Sequence, residues 1–331
     1  MSTLKEVARR AGVSASTVSR VLSKKLHVDE KTEQRVMRAI EELNYHPNPL
    51  ARALREKRSY ILALVVPGIE NQIWPLVARG VERIARRHNY SVLLCNTDND
   101  VNLEKQSFVR LRQQWVDGII VAPAKDTGPH ILSAVQEGFP LVQVIRGLED
   151  KRIDAVMVDN FRIAYAAVEY LYKTGHRHIA IASGQQELNI YRQRLAGYKQ
   201  AIADFGLPAD DSLVFQEIKE LNNLYRLTQQ KIRDGVTVDA IVATSDPKAI
   251  VVMRALRDVG LSIPHDISVI GIDNIEQSFY VEPPLTTLAQ PFVEMGELAA
   301  QKLIFHINHP DDYTPATDLL NFELIIRRST R

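Results

Sequence analysis

The sequence predicts a small all-α head with a hinge helix, followed by an α/β core of two doubly wound parallel-sheet lobes. Three observations predict it. Residues 1–58 carry apolar stripes at helical spacing, interrupted by a glycine turn. From Ser59 onward, short apolar runs rich in β-branched residues alternate with helical stretches, the pattern of parallel strands joined by helices. That alternation continues for about 270 residues, too long for one such core, so two similar lobes are expected.

In the head, Leu4, Val7, Ala8 and Ala11 form the stripe of a first short helix. Thr3 and Glu6 have the spacing of a capping box at its start. Gly12 ends it, because glycine tolerates the left-handed conformation of a tight turn. Ser14 caps a second helix, with Val18, Val21 and Leu22 turned inward. Asp29 caps a third, with Val36, Ile40 and Leu43 inward, running to about Asn44. Helix, turn, helix and a supporting helix make a helix-turn-helix unit.

The outer face of the second helix carries Ala15, Ser16, Thr17, Ser19 and Arg20. Small side chains let a helix backbone sit deep in a major groove, hydroxyls reach bases and phosphates, and an Arg can chelate a guanine edge. The same residues also fit a plain three-helix domain with a solvated face. The run from His46 to Pro49 then breaks the third helix. Asn48 can cap a short helix, with Pro49 at its first position and Leu50, Arg52, Leu54 and Arg55 along it. So short a helix is marginal alone. It could form on DNA with a leucine wedged into the minor groove, or serve only as a linker.

The chain has 331 residues, 41 Lys+Arg and 40 Asp+Glu, for a net charge of +1. Residues 1–58 hold 13 of those cations and 7 of the anions, a balance of +6; the other 28 and 33 leave the body at −5. A basic head on a mildly acidic body suggests an appended nucleic-acid-binding module. Hydrophobic content of 45% and charged content of 24% exclude a disordered or collagenous chain. Cys95, the only cysteine, excludes an internal disulfide framework and reads as inert core within an apolar strand. No apolar run nears the roughly 18 residues of a membrane span. The N-terminus lacks the apolar segment of a secretory signal, so a reducing cytoplasm is expected.

In the body, residues 60–66, 91–95, 118–122 and 141–145 read as buried strands. Residues 73–88, 103–114 and 129–137 read as helices between them. A second strand series follows at 155–158, 178–182, 212–215, 240–243 and 269–272. Open α/β sheets bind ligands beyond the carboxyl ends of their strands. The residues to inspect there include Trp74, Ala124, Arg146, Asp159, Arg194, Ser245 and Asp273. Arg and Asp can bracket hydroxyls while an indole lies on a C–H face, which suits a sugar-sized polyol. Each also has a structural reading, as core, surface charge or turn cap.

Longer motifs carry a resemblance. They are TLKEVARRAGVS from Thr3 to Ser14, TVSRV from Thr17 to Val21, LNYHPN from Leu43 to Asn48 and ARAL from Ala51 to Leu54. In the body they are DGII from Asp117, GHRHI from Gly175, RLAGY from Arg194, DISVIGIDN from Asp266 and PPLTT from Pro283. Together they resemble the LacI/GalR family of bacterial transcriptional regulators across essentially the whole chain. The resemblance implies a recognition helix from Ser14, with Ala15 and Ser16 as the variable base-reading pair. It implies DNA contacts from Thr3, Ser14, Thr17, Ser19, Arg20, Asn48 and Arg55, and an intercalating hinge leucine at Leu54. It further implies a core similar to periplasmic sugar-binding proteins, with two lobes joined by three crossovers.

On this reading the divisions are 1–46 for the DNA-binding head and 47–58 for the hinge helix. Residues 59–159 with 290–319 make the N-terminal lobe, and 160–289 with 320–331 the C-terminal lobe. Arg194 and Asp273 are implied as the main effector contacts, with Trp74, Ala124, Arg146, Asp159 and Ser245 around them. The family often carries Asp just before the position of Arg146, where this chain has Ile145, and Asn at the position of Ser245. The chain ends without a heptad tail, so a homodimer is expected.

The expected function is an effector-responsive, sequence-specific repressor of a carbohydrate-utilisation operon. Its partners would be double-stranded operator DNA and a sugar or sugar derivative, with no membrane, metal or cofactor. Alternatives are a global catabolite-type regulator with a protein co-effector, or a transport or chemosensory binding protein. No phosphate-cradling glycine loop and no nucleophile elbow is present. His176 and His178 fall short of the three or four ligands a metal needs. An enzyme is therefore not expected.

Overall fold

The structure, a computed structural model, describes residues 2–23, 28–46, 58–216 and 220–331. It divides into two compact units, one up to Ser59 and one from Tyr60.

The first unit is helical: α1 (Leu4–Ala11), α2 (Ala15–Ser23) and α3 (Glu30–Glu42). The capping box forms. The Glu6 amide donates to Thr3 Oγ1 at 3.3 Å, and the Thr3 amide donates to Glu6 Oε2 at 2.7 Å. Gly12 ends α1 at φ 65°. Ser14 Oγ accepts from the Thr17 amide at 3.1 Å, and Asp29 Oδ1 from the Thr32 amide at 2.9 Å. Val7, Ala8, Ala11, Val18, Val21, Val36, Ala39 and Tyr45 share one small core. The third helix stops at Glu42 rather than near Asn44, which takes a positive φ of 42°.

The second unit holds two six-stranded sheets. Its first lobe begins β1 (Ile61–Val66), α4 (Ile73–Arg87), β2 (Ser91–Asn96), α5 (Val101–Gln113) and β3 (Gly118–Val121). It continues with α6 (Pro129–Gln136), β4 (Leu141–Val144) and β5 (Asp154–Val158). The second lobe contains α7 (Asn160–Lys173), β6 (Ile179–Ser183), α8 (Asn189–Asp204), β7 (Val214–Gln216), α9 (Leu221–Arg233) and β8 (Ala240–Ala243). Next come α10 (Asp246–Asp258), β9 (Ser268–Asp273), the short α11 (Gln277–Tyr280) and β10 (Thr286–Ala289). The chain then gives α12 (Phe292–Asn308), β11 (Thr317–Leu320) and β12 (Glu323–Ile325).

Strand order is β11-β5-β4-β3-β1-β2 in one sheet and β12-β10-β9-β8-β6-β7 in the other. Every pairing is parallel except β10 with β12. The chain therefore passes between sheets three times: after β5, after β10 and between β11 and β12. Glycines permit close helix contacts. A Cβ at Gly80 would lie 2.1 Å from the Val293 carbonyl oxygen, and one at Gly296 would lie 2.2 Å from that of Val77. Both glycines let α4 and α12 touch backbone to backbone.

One strand differs from expectation. β2 was expected to be buried, yet Leu93 and Leu94 are exposed and Cys95 is half-buried. β2 is the edge of its sheet, and there the described residues cover its apolar side chains only in part. Burial still pushes the Cys95 thiol up from its ordinary range.

Candidate functional site

On the head, the hydroxyls of Ser14, Ser16 and Thr17 cluster at the start of α2. Ser14 Oγ lies 2.7 Å from Ser16 Oγ and 2.9 Å from Thr17 Oγ1. Ser14, Ser16 and Arg20 are exposed, while Ala15, Thr17 and Ser19 are half-buried. Thr3 is exposed where it caps α1. The expected contacts Asn48, Leu54 and Arg55 lie outside the described residues.

In the second unit, a cavity of about 320 Å³ opens between the lobes. Trp74 from α4, and Ile145 and Arg146 after β4, form one side. Tyr191 and Arg194 from α8, Ser245 and Lys248 at the start of α10, and Asp273 at the end of β9 form the other. Gln290, just past β10 on a crossover, completes it.

Arg194 is 2% exposed and held by neutral acceptors. Its Nε donates to Asn160 Oδ1 at 3.0 Å, and its Nη1 donates to the Thr244 carbonyl. Asp273 is 5% exposed and takes φ 128°, a left-handed conformation that an L-residue adopts only under constraint. Its Oδ1 accepts from Gln290 Nε2 at 2.7 Å. Burial pushes its carboxyl up to about 7; Arg194 acts in the opposite direction.

Below Asp273 lies Asp246, fully buried. It accepts from Thr287 Oγ1 at 2.6 Å, from the Ile275 amide at 3.0 Å and from the Ser278 hydroxyl. These bonds tie α10 to the loop after β9 and so fix the turn that presents Asp273. Burial raises the Asp246 carboxyl, and its donors counter that. Gly271 must be glycine here, because a Cβ would come 2.2 Å from Asp246 Oδ1.

The expected effector residues are not all brought together. Trp74, Arg146, Arg194, Ser245 and Asp273 line the cavity. Asp159 does not: it is exposed and caps α7 by accepting from the Arg162 amide at 2.8 Å. Its neighbour Asn160 points inward and orients Arg194. Ala124 is buried outside this cavity, its amide donating to Glu104 Oε2 at 2.8 Å. Lys248 and Gln290 escaped the sequence reading. Gln290 follows a strand, so recognising β10 would have found it; Lys248 sits inside a helical turn and carries no local signal.

A second cavity, of about 420 Å³, adjoins the first at Ile145, Arg146 and Ile190. Bonds between the lobes surround this region. Arg192 pairs with Asp126 at 2.8 Å, Asn189 Nδ2 donates to Glu149 Oε1 at 2.8 Å, and the Glu276 amide donates to Gln72 Oε1 at 3.1 Å. His176, buried away from the cleft, bonds Ser268 Oγ through Nε2 at 2.9 Å and serves the fold. Among the described residues no group of His, Cys, Asp or Glu is arranged to hold a metal, and no helix is long and apolar enough to cross a membrane.

A helix-turn-helix unit in one chain with a two-lobed α/β core and a polar interlobe cleft defines a ligand-controlled DNA-binding regulator. Residues 3–48 match the family described as bacterial regulatory proteins of the lacI family. Residues 59–320 match the periplasmic binding proteins and sugar binding domain of LacI family. The chain is 31% identical to a probable HTH-type transcriptional regulator EndR of Paenibacillus polymyxa, over 98% of this chain and 97% of that protein. Among solved structures it is similar to the lac repressor dimer bound to operator and the anti-inducer ONPF, at TM-score 0.88, 27% identity and 99% of both chains. It is also similar to the CelR–cellobiose complex, at TM-score 0.76 and 28% identity, over 99% of this chain and all of that one. The chain belongs to the LacI family of bacterial transcriptional regulators. It is an effector-responsive DNA-binding repressor and not an enzyme. Acting on bacterial DNA places it in the cytoplasm.

Proposed function

We propose that the protein represses a carbohydrate-utilisation operon and that a sugar or sugar derivative binds in the 320 Å³ cavity. The observation that carries this is the Asp273–Gln290 pair beside the buried Arg194, facing the Trp74 side of the cleft. Carboxylate, carboxamide and guanidinium supply acceptors and donors for adjacent hydroxyls, and the indole covers a C–H face. The similarity to a cellobiose-bound regulator supports a carbohydrate ligand.

In this reading Ala15, Ser16, Thr17, Ser19 and Arg20 face the major groove, with Thr3 and Ser14 on phosphates. Asn48, Leu54 and Arg55 act at the operator centre. Two copies bind a pseudo-palindromic site, associated through DNA with the nucleoid. The exposed Leu93 and Leu94 on the edge of one lobe, and Phe279 and Tyr280 on the other, supply apolar surface for the dimer. Ligand between the lobes changes their closure and, through it, operator affinity.

The test uses tryptophan emission. The chain has two tryptophans, Trp74 in the cavity and the exposed Trp115. In Trp115→Phe protein, an effector that alters operator binding should change Trp74 emission over the same concentration range. An effector that shifts operator affinity while leaving Trp74 emission flat would place the site elsewhere.

A further inference from the structure

The second cavity narrows the ligand, an inference that rests on the first being the effector site. At about 420 Å³ it is the larger of the two, and Ile145, Arg146 and Ile190 line both. The first, about 320 Å³, stands at the lower end of the roughly 300–1,000 Å³ of small-molecule pockets. A single sugar ring held by Trp74, Asp273 and Gln290, none of which lines the second cavity, leaves that cavity to water.

The second cavity has the surface a sugar ring needs. Leu148, Ile153, Ala155 and Leu188 give it a buried aliphatic floor, with Met157 half-buried beside them. Around that floor Asp126, Glu149, Asn189, Gln193 and Thr317 are polar and reach solvent. A sugar ring offers both kinds of surface, C–H faces to the aliphatic groups and hydroxyls to the polar ones. Both lobes supply the lining, the first through the segment after β4 and the second through the start of α8. Lining residues also bond across the lobes: Asn189 Nδ2 donates to Glu149 Oε1 at 2.8 Å, and Asp126 pairs with Arg192 at 2.8 Å. A ligand ring lying there touches both lobes, as a ring in the first cavity does.

The seam between the cavities is a strained turn. Ile145 takes φ 65°, an outlier for a β-branched residue, and the Arg146 amide donates across it to the Val144 carbonyl at 2.6 Å. That turn sets two consecutive side chains, Ile145 and Arg146, against both cavities. Arg146 Nη1 donates to Asn99 Oδ1 at 2.8 Å. Burial opposes the charge of Arg146, while Tyr191, Asp126 and Glu104 favour it. The seam thus holds a charge-assisted donor suited to neutral hydroxyls.

We propose that the effector is a disaccharide with one ring in each cavity and its glycosidic bond at the seam of Ile145, Arg146 and Ile190. The first ring lies against Trp74, Asp273 and Gln290. The second lies on Leu148, Ile153 and Met157, with its hydroxyls toward Glu149, Asn189 and Gln193. Arg146 donates to hydroxyls of both rings, because a guanidinium presents several N–H groups in a fixed fork.

The experiment is calorimetric titration of the full chain with matched sugars. Maltose, cellobiose, lactose, melibiose and sucrose are set against D-glucose, D-galactose and D-fructose, with 4-nitrophenyl β-D-glucoside as the apolar-aglycone arm. A disaccharide should bind about tenfold or more tighter than either constituent, the gain expected of one or two added hydrogen bonds. Gln193 and Thr317 line the second cavity and not the first. Gln193→Phe and Thr317→Phe should each weaken the disaccharide by about tenfold and its constituents by less than about twofold, with unchanged melting. A monosaccharide that binds as tightly as any disaccharide overturns the proposal. So does preference for the nitrophenyl glucoside over every disaccharide, or a disaccharide unaffected by both phenylalanine variants. Trp74→Ala and Asp273→Asn separate the two readings. A monosaccharide lost in both variants keeps the cleft and sinks only the two-ring ligand. A disaccharide whose binding survives both removes the cleft site itself. Binding of none of these sugars overturns the carbohydrate reading and the proposal together.

Discussion

Gln290 Nε2 donates to Asp273 Oδ1 at 2.7 Å, joining a crossover between the lobes to the residue that ends β9. The two residues lie 17 positions apart, and both are buried. A ligand that bonds Asp273 therefore acts on a side chain already tied to the segment that must bend when the lobes move. This bond offers a direct route from the cavity to lobe closure.

Asp273→Asn should abolish the effector response and leave operator binding intact. Losing a hydrogen bond to a charged group costs about 1.5–3 kcal/mol, so effector affinity should fall by at least about tenfold. Operator titrations with and without effector measure it. A normal dose response would remove Asp273 from the site.

The Asp273 carboxyl also sets a pH dependence. Its value in the folded protein, about 7, lies above its ordinary 3.8. The folded state thus holds the extra proton between those limits, and this contribution to stability is present at low pH and lost as pH rises through about 7. Subtracting the melting profile of Asp273→Asn from that of the unmodified protein should isolate a component that declines over this window. Effector hydroxyls donating to the carboxylate favour its ionised form, so affinity should rise from pH 6 to pH 8. A flat affinity profile would show that the effector does not engage the ionised carboxylate.

Arg20→Ala should weaken specific operator binding by about 1–3 kcal/mol and relax base preference at one position. Affinity of the unmodified protein should fall steeply with salt, because neutralised phosphates release counterions. Anisotropy with operator and scrambled duplexes separates the two effects. Equal weakening on both duplexes would make Arg20 a phosphate contact.

Gly80→Ala and Gly296→Ala should each destabilise the core, by about 1–3 kcal/mol as overpacking does. The added methyl would meet backbone of the opposing helix, which cannot rotate away as a side chain can. Thermal melts check it. A variant as stable as the unmodified protein would show that α4 and α12 can separate at little cost.

Local chemistry made much of this protein legible in the sequence. The Thr3 and Glu6 spacing, Gly12 and Asp29 mark helix ends because a cap is formed by residues within one turn of each other. The β-branched runs mark parallel strands because those strands are buried on both faces. β2 misled for the same reason: an apolar edge strand has the composition of a buried one, and only its place at the end of the sheet tells them apart. The rule that ligands sit past strand ends reached Arg146, Arg194, Ser245 and Asp273, yet could not choose between Asp159 and Asn160. Adjacent residues at a helix start point in different directions, and only the approach of Arg194 shows which one faces the cleft.

By itself the sequence determined the helical head, its sign of charge, the two α/β lobes and the family, because each depends on periodicity, composition or contiguous motif. The tertiary structure decided which side chains share the cavity. Lys248, Gln290, Arg194 and Arg146 come from separate elements, and their convergence depends on how three crossovers bring the lobes together. Near-zero net charge averages over the whole sequence, whereas a ligand meets only the few charges that folding places around it.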